Sequence, residues 1–293
     1  MPVVDLRASE LGDKLEIAFT LPELTTDGLP LIGVQEIELL VGPGGDPFSR
    51  DGWAATAQHY QVSPKGPGAY EHEIPATGFV GQALVLAVRA TGRTGRASDW
   101  SNYGYLAVGA PLAPPSDVAA ANAVNGVALR WNGSAPRYRI LRAVPADLPG
   151  DLKVLGESTT NTYVDESTNY GVRYEYVVVG LGGEKQQSKP SAAASITPAD
   201  VFAPAVPGVP SVVAGAGSID LSWTRNGEED LEGYNLFRAT DNGPFEPVAS
   251  RLALPAFSDT KVESGKRYRY VVSAVDTAGN ESARSGEVEA RIQ

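Results

Sequence analysis

The chain has 293 residues, 42% of them hydrophobic, and a formal net charge of −11. This acidic balance disfavours nucleic acid and anionic lipid as partners, and no apolar run approaches the ~18 residues of a membrane span. The sequence contains no cysteine, which excludes disulfides and thiolate metal sites. At ~100 residues per β-sandwich, the length has room for three domains.

The first segments with strand character alternate apolar and polar residues with a period of two. They are residues 15–19, 37–40 and 84–90. The interval between Phe19 and Leu84 is roughly twenty residues longer than the matching intervals further along the chain. We place the extra residues within 41–70, where 53–62 has strand character, and predict a longer hairpin there.

The middle of the chain repeats the same order of segments. Residues 127–131 end on Trp131, residues 138–142 begin with Tyr138, and residues 174–180 begin with Tyr174. Asn125 and Gly126 form a hairpin-turn signal immediately before the first of these segments, and Gly12 and Gly215 lie in the matching places of the other copies. The chain therefore contains three copies of one strand pattern.

The last copy, from Ser218 to Gly286, is the most informative. Trp223 ends its strand B, Tyr234 lies on strand C after Asp230-x-x-Gly, and Tyr268 begins strand F, which is followed by Asp276-x-x-Gly-Asn280. With these residues the segment resembles a fibronectin type III module of the kind found in exported bacterial proteins.

The resemblance predicts an all-β protein of three tandem immunoglobulin-like (fibronectin type III) β-sandwiches in an extended arrangement. The predicted domains are 1–110, with an insertion between strands B and F, 111–199 and 200–293. Proline-rich stretches at 111–115 and 198–210 mark the linkers, and such stretches act as semi-rigid spacers.

Parity along the strands predicts the core. Tyr268, Tyr270, Val272 and Ala274 share one face of strand F. The resemblance further implies that Tyr174 and Tyr268 form tyrosine corners, with each hydroxyl bonded to a backbone group upstream. Leu84 takes the equivalent place in the first domain, where it fills space without a hydroxyl.

Catalytic chemistry has little support, and we predict no enzyme activity, no metal and no cofactor. The two histidines are His59 and His72, and the strand around Glu71-His72-Glu73 offers too few ligands on one face unless His59 completes the set. The acidic residues 228–232 are a candidate calcium loop, with a solvated loop as the simpler alternative. Nucleotide-binding and hydrolase motifs are missing from the sequence.

Another local feature is an expected contact between an arginine and the ring of Trp100. Arg93 and Arg96 lie just before Trp100 and Ser101 and faintly resemble the Trp-Ser element of cytokine-receptor modules. We interpret the arginine and the indole as a stabilising cation–π contact rather than as a binding site.

Apolar residues on the outer face of strands C and F form a candidate partner surface. This outer-face set contains Leu40, Val85, Leu141, Val177, Val179, Phe237 and Val271. One interpretation is strand propensity, since Val and Phe suit a pleated surface wherever they lie. The other is that a neighbouring domain or a partner covers this face.

The predicted function is a non-catalytic structural or interaction protein of the cell envelope or the extracellular space, which binds a protein or carbohydrate partner. The alternative is an accessory spacer segment of a larger secreted enzyme or phage tail protein. The resemblance implies export. No signal peptide is recognisable after Met1, so we expect a processed or truncated product whose missing leader could carry a lipid anchor.

Overall fold

The computed structural model describes residues 2–25, 27–45, 48–144 and 151–292, and nearly all of its regular structure is β-strand. The described residues form three β-sandwiches in chain order, which confirms the predicted fold class. By internal contacts the chain divides into two compact units between Pro198 and Ala199. The predicted division at residues 110 and 111 and the extended arrangement stay predictions.

The first sandwich pairs a three-stranded sheet, β1-β2-β5, with a four-stranded sheet, β4-β3-β6-β7. Its strands are β1 Arg7–Leu11, β2 Lys14–Leu21, β3 Val34–Pro43, β4 Gln58–Val62, β5 Gly68–Pro75, β6 Ala83–Gly92 and β7 Gly104–Ala107. A 3₁₀ turn at Thr77–Phe79 connects β5 to β6. The alternating apolar residues of both sheets meet in one core that contains Leu15, Ile17 and Leu86.

The predicted strand over 53–62 is half wrong. Helix α1, Arg50–Thr56, takes the first part, and only β4 is a strand, paired with β3. Ser49 caps the helix by accepting from the Gly52 N–H at 3.4 Å, and Asp51 lies in the first turn, where a negative charge favours a helix. The prediction of a strand was wrong here because Trp53 is buried on one side of a helix and not on one face of a strand.

The second sandwich repeats the arrangement with sheets β12-β9-β8 and β11-β10-β13, the latter extended by β14 and β15. Its strands are β8 Ser116–Ala123, β9 Gly126–Asn132, β10 Arg137–Ala143, β11 Lys153–Ser158, β12 Thr162–Asp165, β13 Tyr174–Leu181, β14 Gln186–Gln187 and β15 Ala194–Ile196. Gly126 closes the predicted hairpin with φ +136°, and a Cβ there would collide with the Asp165 carbonyl, so the position requires glycine.

The third sandwich has sheets β16-β17-β20 and β19-β18-β21-β22. Its strands are β16 Ser211–Ala214, β17 Ile219–Ser222, β18 Leu231–Thr240, β19 Glu246–Leu252, β20 Ala256–Asp259, β21 Arg267–Asp276 and β22 Val288–Arg291. The predicted core face is confirmed, because Tyr270 and Val272 of β21 pack in one cluster with Ile219, Leu221 and Trp223.

A direct joint connects the first two sandwiches, and the sequence did not predict it. Strand β14 pairs in parallel with β1, matching Gln186 to Glu10, so one sheet continues from the second sandwich into the first. At its centre the Glu10 carboxylate has no exposed surface and accepts from the Gln186 side-chain amide at 2.9 Å and the Gly109 N–H at 3.0 Å. The joint therefore holds the two sandwiches by backbone pairing as well as through the proline-rich linker.

Among the described residues, no helix is both long enough and apolar enough to span a bilayer.

Candidate functional site

In the first sandwich, the outer-face set is covered by the chain's own helix. Leu40 and Val85 are 1% and 4% exposed and pack in one cluster with Trp53 and Ala57. The Trp53 indole N–H donates to the Gly42 carbonyl at 3.2 Å and fixes the helix on the sheet. These two positions are therefore closed to a partner, and their cover is the insertion itself.

The third sandwich covers the same face with the segment between β21 and β22. The Arg284 guanidinium lies 3.9 Å from the centre of the Phe237 ring, and Val271 beside it is buried. The Glu281 carboxylate accepts from the side chains of Asn235 and Ser273 at 3.0 and 2.5 Å. Here too the chain covers its own apolar residues, with charged side chains laid across them.

In the second sandwich, Val177 and Val179 are also buried, while Leu141 is half-buried. Leu141 lies opposite Val177 in the register of β10 and β13, as predicted from parity. Partner binding by the outer-face set stays a prediction.

Each sandwich has two serines just after strand F (β6, β13 or β21) whose hydroxyls accept hydrogen bonds from the backbone of that strand. Sequence reasoning missed this repeated feature. In the third sandwich, Ser282 and Ser285 each accept from a backbone N–H of β21, Ala274 at 2.9 Å and Val272 at 3.0 Å. Equivalent pairs serve β6 and β13: Ser98 with Ser101, and Ser188 with Ser191. The signal was available as Ser-x-x-Ser after each strand F.

The arginine on Trp100 is Arg89, with its guanidinium carbon 4.4 Å from the ring centre, and not the predicted Arg93 or Arg96. Arg89 lies on β6 and also pairs with Glu38 of β3 at 2.6 Å, which positions it over the indole. The prediction chose the arginines nearest to Trp100 in sequence, whereas the fold places Arg89 nearest to its ring. Its interpretation as a structural contact agrees with this geometry.

The histidines lie in different sheets of the first sandwich. His59 is on β4, with Nδ1 2.7 Å from the Glu38 carboxylate, whereas His72 is on β5 opposite Ile17. Glu73 forms an ion pair with Lys14. His59 therefore does not complete a ligand set around His72.

The acidic residues 228–232, the candidate calcium loop, do not converge on one point. Glu228 accepts from the Ala205 N–H at 2.6 Å, and Glu232 pairs with Arg251 at 2.6 Å. Only Asp230 joins other acids, with one carboxylate oxygen each of Asp200 and Asp276 within 4.8 Å.

Asp276 is buried, and its two oxygens accept from the Asn280 N–H and side-chain amide at 2.8 and 2.9 Å. The Asp-x-x-Gly-Asn motif thus forms a turn that returns to its own first residue. Three carboxylates are fewer than the six to eight oxygen ligands that Ca²⁺ takes, and the solvated loop stays the simpler interpretation of the calcium candidate.

A buried carboxylate network occurs in the same place in the second and third sandwiches. Asp165 accepts from Arg142 at 2.7 Å and from the Tyr176 hydroxyl at 2.9 Å, while Ser167 bonds its other oxygen. Burial raises the pKa of Asp165, but the hydrogen bonds from Ser167, Arg142 and Tyr176 outweigh burial and bring the pKa below its usual value.

The matching network joins Asp259 to Arg238 at 2.8 Å and to the Tyr270 hydroxyl at 2.9 Å. Burial, and then the neighbouring carboxylate, raise the pKa of Tyr270 and of Tyr176. The tyrosines therefore stay protonated and donate to the carboxylates, which is a structural role.

The tyrosine corners are present, and in both of them the hydroxyl accepts the hydrogen bond. The Tyr268 hydroxyl accepts from the Glu263 N–H at 2.8 Å, and Tyr174 accepts from the Asn169 N–H at 2.9 Å. In the first sandwich Leu84 is buried as predicted, and Tyr70 of β5 takes over the loop contact: its hydroxyl accepts from the Lys65 N–H and donates to the Gly66 carbonyl, each at 2.7 Å.

A groove lies beside the joint of the first two sandwiches. Its volume is about 510 Å³, and its lining includes Gly44, Phe48, Val85, Tyr105, Glu184 and Lys185. Val85 in this lining is buried, whereas Tyr105 and Phe48 are 59% and 39% exposed. The loop between β13 and β14 supplies the charged side, where Lys185 Nζ donates to the Tyr105 carbonyl at 3.0 Å. Sequence reasoning missed this groove, because its walls come from two sandwiches.

Two enzymes with sequences similar to parts of this chain illustrate its relatives. An amylopullulanase of Thermoanaerobacterium saccharolyticum is 40% identical over 87 residues, which are 29% of this chain and 7% of the enzyme. Exoglucanase B of Cellulomonas fimi is 29% identical over 187 residues, 61% of this chain and 16% of the enzyme. The chain thus matches only a small part of each of these relatives.

No family model matches the chain. Among solved structures, the three domains FN1-FN3 of chicken CNTN1 align with 99% of this chain and 97% of that one, at 16% identity and a TM-score of 0.32, a likeness too weak to add to the evidence of the strands themselves. That evidence is the repeated pairing of a three-stranded with a four-stranded sheet, the buried tryptophans on β9 and directly after β17, and the tyrosine corners. The chain is a tandem of three fibronectin type III-like β-sandwiches.

Proposed function

We propose that the chain is an accessory segment of an exported carbohydrate-active enzyme. The observation that carries this proposal is the pattern of similarity: 40% identity over 87 residues to 7% of an amylopullulanase, and similarity over 187 residues to 16% of an exoglucanase. A short part shared by enzymes with different names is expected of a non-catalytic module that accompanies several catalytic domains.

The chemistry of the described residues supports a non-catalytic role in such an enzyme. The buried carboxylates Asp165 and Asp259 are each occupied by an arginine and a tyrosine, which stabilise a sandwich and leave no free acid–base pair. Paired carboxylates for glycoside hydrolysis face each other across a substrate cleft. Asp165 and Asp259 belong instead to separate sandwiches and are buried.

The alternative is an envelope protein with a lipid anchor. It shares the export and the non-catalytic sandwiches of the proposal, and it differs in the polypeptide to which the sandwiches belong. The names of the relatives favour the enzyme, while nothing in the described sandwiches points to a lipid anchor.

The test is to capture the native polypeptide with antibodies raised against the purified chain, from the medium, envelope and cytosol of the source organism. We expect an exported polypeptide that contains a glycoside hydrolase domain by mass spectrometry and that clears a glucan gel after electrophoresis. A captured envelope polypeptide without such a domain would overturn the proposal. The purified chain alone should release no reducing sugar from the same glucan.

A further inference from the structure

The groove beside the joint has the composition of a binding site for a neutral, ring-shaped ligand. The exposed Tyr105 ring and the Phe48 ring present apolar surface at its edge, and Glu184 and Lys185 provide one charge of each sign. Its volume of about 510 Å³ lies in the range of small-molecule and oligomer sites, which combine apolar walls with a few polar groups.

The walls of this groove are held in place before any ligand arrives. The sandwich that supplies Tyr105 is joined to the loop at 183–185 by β1–β14 pairing, and the Glu10 N–H donates to the Lys185 carbonyl at 2.8 Å. The contact of Lys185 Nζ with the Tyr105 carbonyl closes the same ring of interactions. A preformed groove avoids the ordering cost that weakens binding by flexible loops.

The Phe48 side is also supported from behind. The Phe48 ring centre lies 5.3 Å from that of Tyr103 and 6.0 Å from that of Trp53, so α1 and the segment before β7 fix its position. Rigid aromatic side chains supply contact area at low conformational cost. The Phe48 ring is therefore exposed on one side and anchored on the other, while Tyr105 is held through the backbone of β7.

We propose that this groove binds a glucan chain, with pyranose rings packed on Tyr105 and Phe48 and sugar hydroxyls bonded to Glu184 and Lys185. The inference rests on the proposed function for the ligand class, since the named relatives are an amylopullulanase and an exoglucanase. A sugar ring has an apolar C–H face and a polar hydroxyl edge, which match aromatic rings beside charged side chains. The net charge of −11 favours such a neutral ligand over an anionic one.

The experiment is calorimetric titration of the whole chain with maltohexaose and, separately, with cellohexaose, the two arms distinguishing α- from β-linked glucans. We expect saturable binding of at least one, weakened about tenfold or more in Tyr105→Ala and Phe48→Ala. Tyr105→Phe, which keeps the ring, should retain binding. Tyr170→Ala removes an exposed tyrosine of the second sandwich at the other end of β13 and should leave binding unchanged.

Circular dichroism of each variant confirms folding. Absence of binding by both glucans, or equal binding by Tyr105→Ala and the unaltered chain, would overturn the groove assignment. Loss of binding in Tyr170→Ala as strong as in Tyr105→Ala would also overturn it. If the chain binds a glucan but its native polypeptide lacks a hydrolase domain, the groove assignment holds and the accessory-segment proposal is wrong. The two proposals can therefore fail separately.

Discussion

At the residue scale, the second and third sandwiches each place an arginine and a tyrosine hydroxyl against one buried carboxylate. Arg142 and Arg238 reach it from β10 and β18, and each guanidinium also lies over a corner tyrosine, 5.0 Å from the Tyr174 ring and 5.3 Å from the Tyr268 ring. A buried charge is tolerated only when it is paired and hydrogen-bonded. Both networks satisfy a buried carboxylate, and the lowered pKa of Asp165 makes the stability of the second sandwich depend on pH.

Asp165 gives the pH prediction. Its pKa is lower in the folded chain than the value near 3.9 of an unfolded aspartate, so as pH falls the unfolded chain takes up the proton first. The stabilisation is therefore complete above about pH 5 and is lost as pH falls through the folded pKa. Urea unfolding followed by tryptophan fluorescence at pH 7 and pH 3 should show a smaller pH dependence for Asp165→Asn, with exposed Asp99→Asn unchanged. Parallel pH profiles of Asp165→Asn and the unaltered chain would contradict it.

Tyr268 gives a matched test of the corner. Tyr268→Phe leaves the Glu263 N–H without its acceptor, which should cost about 1–3 kcal/mol of unfolding free energy. Tyr138 is the control, because its buried hydroxyl has no hydrogen-bond partner among the described residues. Tyr138→Phe should therefore change stability by much less, and equal costs in thermal melts would refute the assignment.

Leu84 tests whether the first sandwich has room for a corner tyrosine. The side chain is 1% exposed in a packed core, so Leu84→Tyr should overpack it and cost about 1–3 kcal/mol. Thermal unfolding of the variant measures the cost, and an unchanged melting temperature would show that space is prepared there.

At the element scale, helix α1 distinguishes the first sandwich from the other two. Seven residues are too few for a stable helix in water, so α1 depends on the sheet beneath it. Trp53 supplies that dependence: it packs with Leu40 and Val85 and lies 5.9 Å from the ring centre of Tyr103. The helix thus covers apolar sheet surface that would otherwise be exposed.

Trp53→Ala should cost about 3–5 kcal/mol by leaving a cavity between helix and sheet. It should also increase the fluorescence of a dye that binds exposed apolar surface, because Leu40 and Val85 lose their cover. Ala55→Ser, at an exposed position of the same helix, is the control and should do neither. A stable Trp53→Ala variant without added dye binding would mean that α1 does not cover the face.

At the scale of the whole molecule, the chain contains one two-sandwich unit and one single-sandwich unit. Backbone pairing across the joint makes the first two sandwiches one body, and Glu10 is the side chain at its centre. Interfaces within a chain usually permit relative motion unless they are extensive. Here the continuous sheet, and not an extensive buried interface, restricts the relative motion of the two sandwiches.

Glu10→Ala should therefore uncouple the first two sandwiches. The variant leaves the Gly109 N–H and the Gln186 amide without their acceptor, at a cost of about 1–3 kcal/mol. Scanning calorimetry should then show an additional, separate transition, while Glu71→Ala on the exposed face of β5 should melt like the unaltered chain. An unchanged calorimetric profile of Glu10→Ala would show that the joint stands without this carboxylate.

Much of the candidate site was beyond the reach of the sequence. Strand F of the third sandwich was predicted residue by residue, because a period of two is a local property of the chain. The groove was not, because Tyr105 and Glu184 are far apart in sequence and meet only through the joint. The contact of Arg89 with Trp100 was not predicted either, because folding brings the two side chains together while Arg93 and Arg96 are nearer to Trp100 in sequence.

The sequence by itself determined the repeat: alternation and turn glycines specify a sandwich locally in all three copies, and tryptophan and tyrosine positions add to them in the second and third. Only the tertiary structure decided what covers each outer face, a helix in the first sandwich and Arg284 in the third. It also decided that β14 adds to β1, since an edge strand offers unpaired backbone groups without regard to side-chain pattern. Periodicity fixes which residues face inward, while contacts between elements distant in sequence depend on geometry that no local pattern encodes.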